Sequence, residues 1–515
     1  MVKAIKTVTQ SLRGVLQVFL GCIVLPFFLF RSSFQENFVQ QPQLRRHLKS
    51  RQLSMIAIGG CIGTGLFLAS GMSIHQAGPG GVLVAFGLMG LMVYFLMTSL
   101  GEMAAFMPTS GSFYSYGAHF FDPAFGYAQG INYWYNWAIT LAAEIAAAAM
   151  IMKFWFPQSP ALMWSLLFLG VLLTTNMFSV KGFGEAEFWM SFVKVSVVCL
   201  FIIIGALIAL GVVGHHAVGL QNWRVGGGPF HGGFMAILSV FMVAGFSFQG
   251  TELVGVAAGE SESPQKSIPL AIKKVFWRIL LFYILSLVIV SLLIPYTSPL
   301  LLNNNVATSP FTLVFAHTGI RFAAGMMNFV ILIAVLSAGN SGMYASTRML
   351  WYLATKGHAP KIFKTLNARG VPIVALCVTT LVGALAFLSS IYGNGVVYMW
   401  LLNASGLSGF ITWFGIALSH YRFRRAYVLQ GYDLHDLPYR AKLFPFGPIF
   451  ALILCVFVIL GQDMALFSGQ ADWHGILISY IGLPIFLILW FGYKWKHKTK
   501  IVPLKECHFE IMRED

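Results

Sequence analysis

Four glycines crowd seven residues in the run Ile58-Gly59-Gly60-Cys61-Ile62-Gly63-Thr64-Gly65. Inside a helix each costs ~1 kcal/mol against alanine. Close helix packing accounts for Gly59 and Gly63, whose spacing lets two backbones approach, but it does not need four glycines together. Local unwinding does. A helix broken here presents amides at the start of its second half, and such amides bind an anionic group such as a carboxylate. Gly60, Cys61, Ile62, Gly63, Thr64 and Gly65 are therefore candidate ligand contacts. A second run has the same character: Gly245-Phe246-Ser247-Phe248-Gln249-Gly250-Thr251-Glu252-Leu253-Val254-Gly255. Its carboxylate, Glu252, either pairs with a cationic ligand or caps broken backbone.

Further charges lie inside apolar runs, where they are expensive and functional by default. Lys194 sits in Phe192-Val193-Lys194-Val195-Ser196, too deep to reach an interface easily. A lysine taken out of water is one that can gain and lose a proton, so Lys194 is the candidate for proton coupling. Glu144 falls mid-run, with Tyr133 and Trp137 on adjoining turns; it lines a pathway or stays buried and neutral. Glu102 reads as structural or gating. Asn340 and Ser341 offer polar contacts near Lys194, or they join helices to one another.

The elements that must position these residues follow from composition. Of 515 residues 57% are hydrophobic and 10% charged, against roughly 25% charged in soluble domains. Lipid must cover such a chain, and the long non-alternating apolar runs argue for helices over a barrel. At ~20 residues per crossing, spans are expected near 54–76, 80–107, 124–155, 160–179, 184–213, 232–258, 275–297, 322–355, 371–391, 396–421, 446–467 and 474–495. That makes twelve, with both core ends on one side. The loop charges test the count: basic residues from Arg45 to Arg513 fall on the side of those ends, and only Lys153, Arg224 and Arg321 fall on the other. Cytoplasmic loops carry this bias, so the net charge of +16 is explained without nucleic acid. Residues 1–42 stand apart: their apolar segment from Gly14 to Phe30 is open to a signal-like segment, an extra span or a peripheral or artefactual extension, the last being favoured; 43–498 form the membrane domain and 499–515 a cytoplasmic tail.

Other chemistries lack support. The six cysteines are scattered, and neither they nor the 13 histidines show metal-ligand spacing. There is no Walker motif and no catalytic triad, so no catalytic residue, metal or organic cofactor is expected. Glu260-Ser261-Glu262 with Lys266, and Asp433 to Arg440, read as solvated clusters in cytoplasmic loops, or else as gate ion pairs. The two glycine breaks lie five spans apart. An odd number of spans per repeat inverts its orientation, so the reading is an all-α membrane protein with a five-plus-five inverted repeat, broken first and sixth helices and two additional C-terminal helices. Secondary transporters place their sites between such breaks.

Several runs carry a resemblance to a known family. They are Met55 to Gly60 with Ile62 to Phe67, Gln76-Ala77-Gly78-Pro79-Gly80-Gly81, Ser99-Leu100-Gly101-Glu102, Asn132 to Trp137, Gly182 to Glu187, Gly245 to Glu262 and Ser337 to Tyr344. The chain resembles an amino acid permease of the amino acid–polyamine–organocation superfamily from about Gln43 to about Lys498, with Cys61 and Glu144 standing where serine and aspartate are expected. Within that family it is similar to members specific for lysine. The resemblance selects Tyr133, Trp137, Phe246 and Phe248 as aromatics beside the site. It implies that Lys194 substitutes for a sodium ion by bracing the fifth helix against the broken first one. It also implies uptake of L-lysine or a related amino acid across a bacterial inner membrane, with protons as the coupling ion; a sister specificity and an exchanger are the alternatives. Glu102, Glu144 and Glu252 are shared with permeases of neutral substrates, which leaves the partner of a lysine side chain open. The bilayer is the expected environment, and a regulatory membrane partner is not excluded by any residue.

Overall fold

The computed structural model describes residues 48–509, except 61, 179, 213–216, 302–308, 317–320, 463–475 and 477–478. The extension at 1–42, Cys61 and His215-His216 therefore lie outside the described residues. Every named element is helical. In chain order these are α1 (Ser50–Gly59), α2 (Thr64–Phe67), α3 (Ser70–Phe106), α4 (Ser112–Phe120), α5 (Pro123–Met152), α6 (Ala161–Phe178), α7 (Val180–Ala209), α8 (Gly233–Phe248) and α9 (Leu253–Ala257). There follow α10 (Pro264–Leu293), α11 (Arg321–Thr355), α12 (Ile373–Tyr392), α13 (Asn394–Leu429), α14 (Phe446–Leu460) and α15 (Gly482–His497).

Nine helices among the described residues are long and apolar enough to cross a membrane. The 37-residue α3 joins two expected spans, and the junction lies where the sequence places it. Gly78 has φ +74°, a left-handed setting that glycine alone enters cheaply. Pro79 after it has no amide to donate. The peptide groups freed on either side are taken up by the loop before α8: the Gly80 amide donates to the Pro229 carbonyl (2.8 Å) and the His231 amide to the Ala77 carbonyl (3.0 Å).

Helix α5 is the axis of the bundle and is almost wholly buried, packing most extensively on α11 and α13. Its start is coded locally. Asp122 is the N-cap, accepting from the Ala124 amide at 3.0 Å, with Pro123 at the first helical position. Peripheral helices present apolar side chains outward, including Leu166, Leu167 and Val171 on α6 and Ile203 on α7. Exposed apolar surface on this scale is what lipid covers.

The end of the described chain is bound to the bundle. Thr499 donates to Asp122 (2.8 Å). The Val502 amide donates to the Phe121 carbonyl (2.8 Å), and Gln430 Nε2 to the carbonyls of Leu504 (2.9 Å) and Cys507 (2.8 Å). Phe509 is buried among the rings of Phe106, Phe120, Phe423, Tyr427 and Tyr432, at centroid distances of 5.2–6.1 Å. This strap ties the ends of α3, α4 and α13 together.

Candidate substrate-binding site

Helix α1 stops at Gly59, and the chain restarts as a helix at Thr64 after an extended Gly63 (φ −138°, ψ −148°). The amides that open the new helix have no intrahelical acceptor. The second break begins after Phe248, where Gln249 turns extended (ψ 144°) and Gly250 takes φ +97°. Helix resumes at Leu253. The two breaks lie against each other: a Cβ on Gly65 would come within 2.6 Å of Ser247 Cα, and one on Gly60 within 3.3 Å of Leu253 Cδ1.

A small cavity opens beside this crossing. Its walls are Gly60, Gly63, Thr64 and Gly65, then Phe246 and Gln249, with Trp137, Thr140 and Glu144 from α5 and Ala338 from α11. Its volume is about 20 Å³, room for about one water. Thr64 Oγ1 donates to Glu144 Oε1 (3.0 Å). Glu144 Oε2, Trp137 Nε1 and Gln249 Oε1 are buried without a hydrogen-bond partner. Three polar atoms of the cavity walls thus have no protein partner, which suits a water or a polar ligand group there.

Glu252 is used differently. Its carboxylate accepts from the Gly250 amide (3.1 Å) and from Trp413 Nε1 (3.2 Å), so it caps the broken backbone and is not among the cavity walls. Phe248 packs on Tyr283 (4.2 Å) and Phe86 (6.0 Å), also off the cavity. Tyr133 stands one layer back, its ring 4.5 Å from Phe113 and 6.4 Å from Trp137. The Ser247 hydroxyl donates to its own helix at Val243 (2.7 Å).

Lys194 is fully buried. Its ammonium donates to the Gly59 carbonyl, to Ser337 Oγ (2.9 Å) and to the Ile62 carbonyl (3.5 Å), with Glu187 Oε1 at 3.9 Å. Ser337 Oγ in turn donates to Glu187 Oε1 (2.5 Å). The lysine thus ties α7 to the end of α1, to the unwound segment of the first break and to α11. Asn340 faces the other way, accepting from Asn176 (2.7 Å) and Thr175 (3.3 Å) of α6. Ser341 is buried nearby, without a hydrogen-bond partner for its hydroxyl.

Sequence reasoning missed Thr140, Ala338, Ser337 and Glu187. A signal existed for Glu187, since Glu187, Ser191 and Lys194 recur at helical spacing on one face. Glu260 was open to two readings, a solvated cluster or a gate ion pair, and it forms an ion pair: it is buried against Arg348 (3.1 Å), whose guanidinium lies over Tyr344 (4.3 Å). The partner lies 88 residues away, so the local polar run concealed it. Glu262 is exposed, as are Asp433, Asp436 and Arg440.

Glu102 belongs to a separate buried cluster with Arg424, His420 (3.4 Å) and the Ala441 amide (2.6 Å). Removing one side of such a pair strands the other charge, at about 3–5 kcal/mol. Glu102→Gln is expected to lower the melting temperature in detergent by several degrees; an unchanged melting curve would show that the cluster contributes no net stability.

Two crossed helix breaks around a small polar cavity, set in a bundle of apolar helices, define a membrane transporter, and the chain belongs to the amino acid permease family, whose model matches residues 52–506. It is 58% identical over 91% of its length to the lysine-specific permease LysP of Escherichia coli (strain K12), covering 97% of that protein. It is 55% identical to the lysine-specific permease LysP of Lactococcus lactis subsp. cremoris, with 91% and 94% coverage. It is 48% identical to the histidine permease HisP of the same organism, with 92% and 99% coverage.

Proposed function

We propose that the chain imports L-lysine across the bacterial cytoplasmic membrane by proton-coupled symport and alternating access. The proposal includes twelve crossings, a five-plus-five inverted repeat and cytoplasmic core termini. The similarity to two lysine-specific permeases carries the substrate. The cavity supports the mode of binding: the amino acid carboxylate meets the amides from Gly60 to Gly65, and the α-ammonium meets carbonyls from Phe246 to Gln249. Among the carboxylates, Glu144 suits the side-chain ammonium, because one of its oxygens lacks a partner whereas Glu252 is held by Trp413 and backbone. At about 20 Å³ the cavity is smaller than the ~300–1,000 Å³ of ordinary ligand sites. Lysine entry therefore requires the walls to part, as alternating access requires.

The histidine permease relative favours a second reading, in which the cationic or imidazole side chain of histidine is the cargo. Uptake of radiolabelled lysine into proteoliposomes under an imposed pH gradient separates the two. Excess lysine should abolish the signal, arginine and ornithine should reduce it, and histidine and phenylalanine should leave it nearly intact. Competition by histidine stronger than by lysine would transfer the assignment, and uptake indifferent to the gradient would remove proton coupling.

A further inference from the structure

Away from the central cavity, a groove of about 340 Å³ lies between the last turn of α6 and the loop after α11, walled by Thr174, Met177, Phe178, Asn367, Ala368 and Arg369. Its two sides differ in chemistry. Phe178 and Met177 expose apolar surface at the end of a helix whose outward face is already lipid-facing. On the other side, Arg369 sets its guanidinium 5.6 Å from the Phe178 ring centroid, with no carboxylate partner among the described residues.

The loop holding that arginine is shaped by its own hydrogen bonds. Asn367 Oδ1 accepts from the amides of Arg369 (3.0 Å) and Val371 (2.9 Å), and Gly370 takes φ +79°. From Lys356 to Val371 the loop carries Lys356, Lys361, Lys364 and Arg369 and no Asp or Glu. Between two of those lysines Ile362 is 60% exposed, an apolar side chain set as an interfacial anchor.

We propose that this groove binds an anionic phospholipid, its phosphate on Arg369 and an acyl chain along Met177 and Phe178. The occupant must be both anionic and apolar. A free anion leaves the apolar wall uncovered, and a cationic amino acid is repelled by the loop. A zwitterionic lipid offers the same phosphate, but its headgroup cation is repelled by the basic loop. Juxtamembrane basic residues attract anionic headgroups at ~1 kcal/mol each. The groove also connects inward: Asn176, beside Thr174 and Met177, bonds Asn340 of α11 (2.7 Å), so a lipid held here steadies the helix that carries Ser337. The inference presupposes only a membrane-spanning chain and not the substrate assignment.

The test is native mass spectrometry and thermal melting of the purified chain with phosphatidylglycerol or phosphatidylcholine of identical acyl chains, with Arg440→Ala as a control for an exposed arginine elsewhere. Phosphatidylglycerol is expected to remain bound and raise the melting temperature. Arg369→Ala is expected to weaken that binding about fivefold and Arg440→Ala hardly at all, with both variants melting like the parent in phosphatidylcholine. If Arg369→Ala is poorly folded, Arg369→Lys replaces it and should retain part of the binding. Equal losses from both arginines, equal retention of phosphatidylcholine, or displacement of the lipid by millimolar inorganic phosphate would each overturn the proposal.

Discussion

Lys194→Ala should abolish accumulation of lysine against its gradient. In the parent chain the ammonium joins the Gly59 carbonyl at the start of the first break and the Ile62 carbonyl within it to Ser337 and Glu187. Alanine removes the Lys194 ammonium from this junction and leaves Glu187 buried with its nearest cation gone. Two consequences follow. The α7 brace on the break is lost, and the group proposed to carry the coupled proton is gone. A pH gradient should then no longer accelerate uptake, and with the membrane potential clamped at zero internal lysine should stop at the external concentration. Parent-like accumulation would dismiss the coupling role. Because stranding a buried charge costs about 3–5 kcal/mol, Ser337→Ala serves as the milder companion: it removes one hydrogen bond from Lys194 and should shift the pH profile of uptake while leaving the chain folded.

Gly65→Ala is the second large effect. The added methyl would meet Ser247 Cα at 2.6 Å and Ser247 N at 2.9 Å, and backbone cannot swing aside as a side chain can. The crossed breaks must move apart by something like an ångström, and a displacement of that size costs about 100-fold where geometry is critical. Lysine uptake efficiency should fall by about that factor. Gly87→Ala is the contrast, since its Cβ would meet nothing within 4 Å; it should transport normally and melt no lower than the parent. Equal behaviour of the two variants would mean that the crossing at Gly65 tolerates a methyl group.

Much of this was legible before any coordinates, for a reason that the residues make plain. Glycine clusters and a buried lysine violate the ordinary rules of apolar helices, and violations are visible locally. The breaks at Gly60–Gly63 and Gln249–Glu252, the boundary at Gly78-Pro79 and the depth of Lys194 all belong to this kind. What stayed hidden was pairing across distance. Glu252 leaves ligand pairing and backbone capping both open until Trp413, 161 residues on, is placed against it. Glu260 likewise leaves a solvated cluster and an ion pair open until Arg348 of another helix is seen beside it. Phe248 and Phe246 are two residues apart in one broken helix, yet only Phe246 reaches the cavity; which face of a helix meets a ligand depends on the rotation its neighbours impose. Alternation and spacing do not encode that rotation in an all-round apolar helix, where every face is acceptable to lipid or to protein.

The strap at residues 499–509 has a bearing on how the chain is made. These residues leave the ribosome after all the helices they fasten. Until they do, the seat of Phe509 is an open ring of aromatic side chains at the water-facing ends of α3, α4 and α13, and transiently exposed surface of that sort invites association with other chains. Docking of Phe509 therefore follows the synthesis of every helix that it fastens. A chain without residues 499–509 would keep every named helix but leave this aromatic seat open, a surface of the kind that chaperones and proteases recognise.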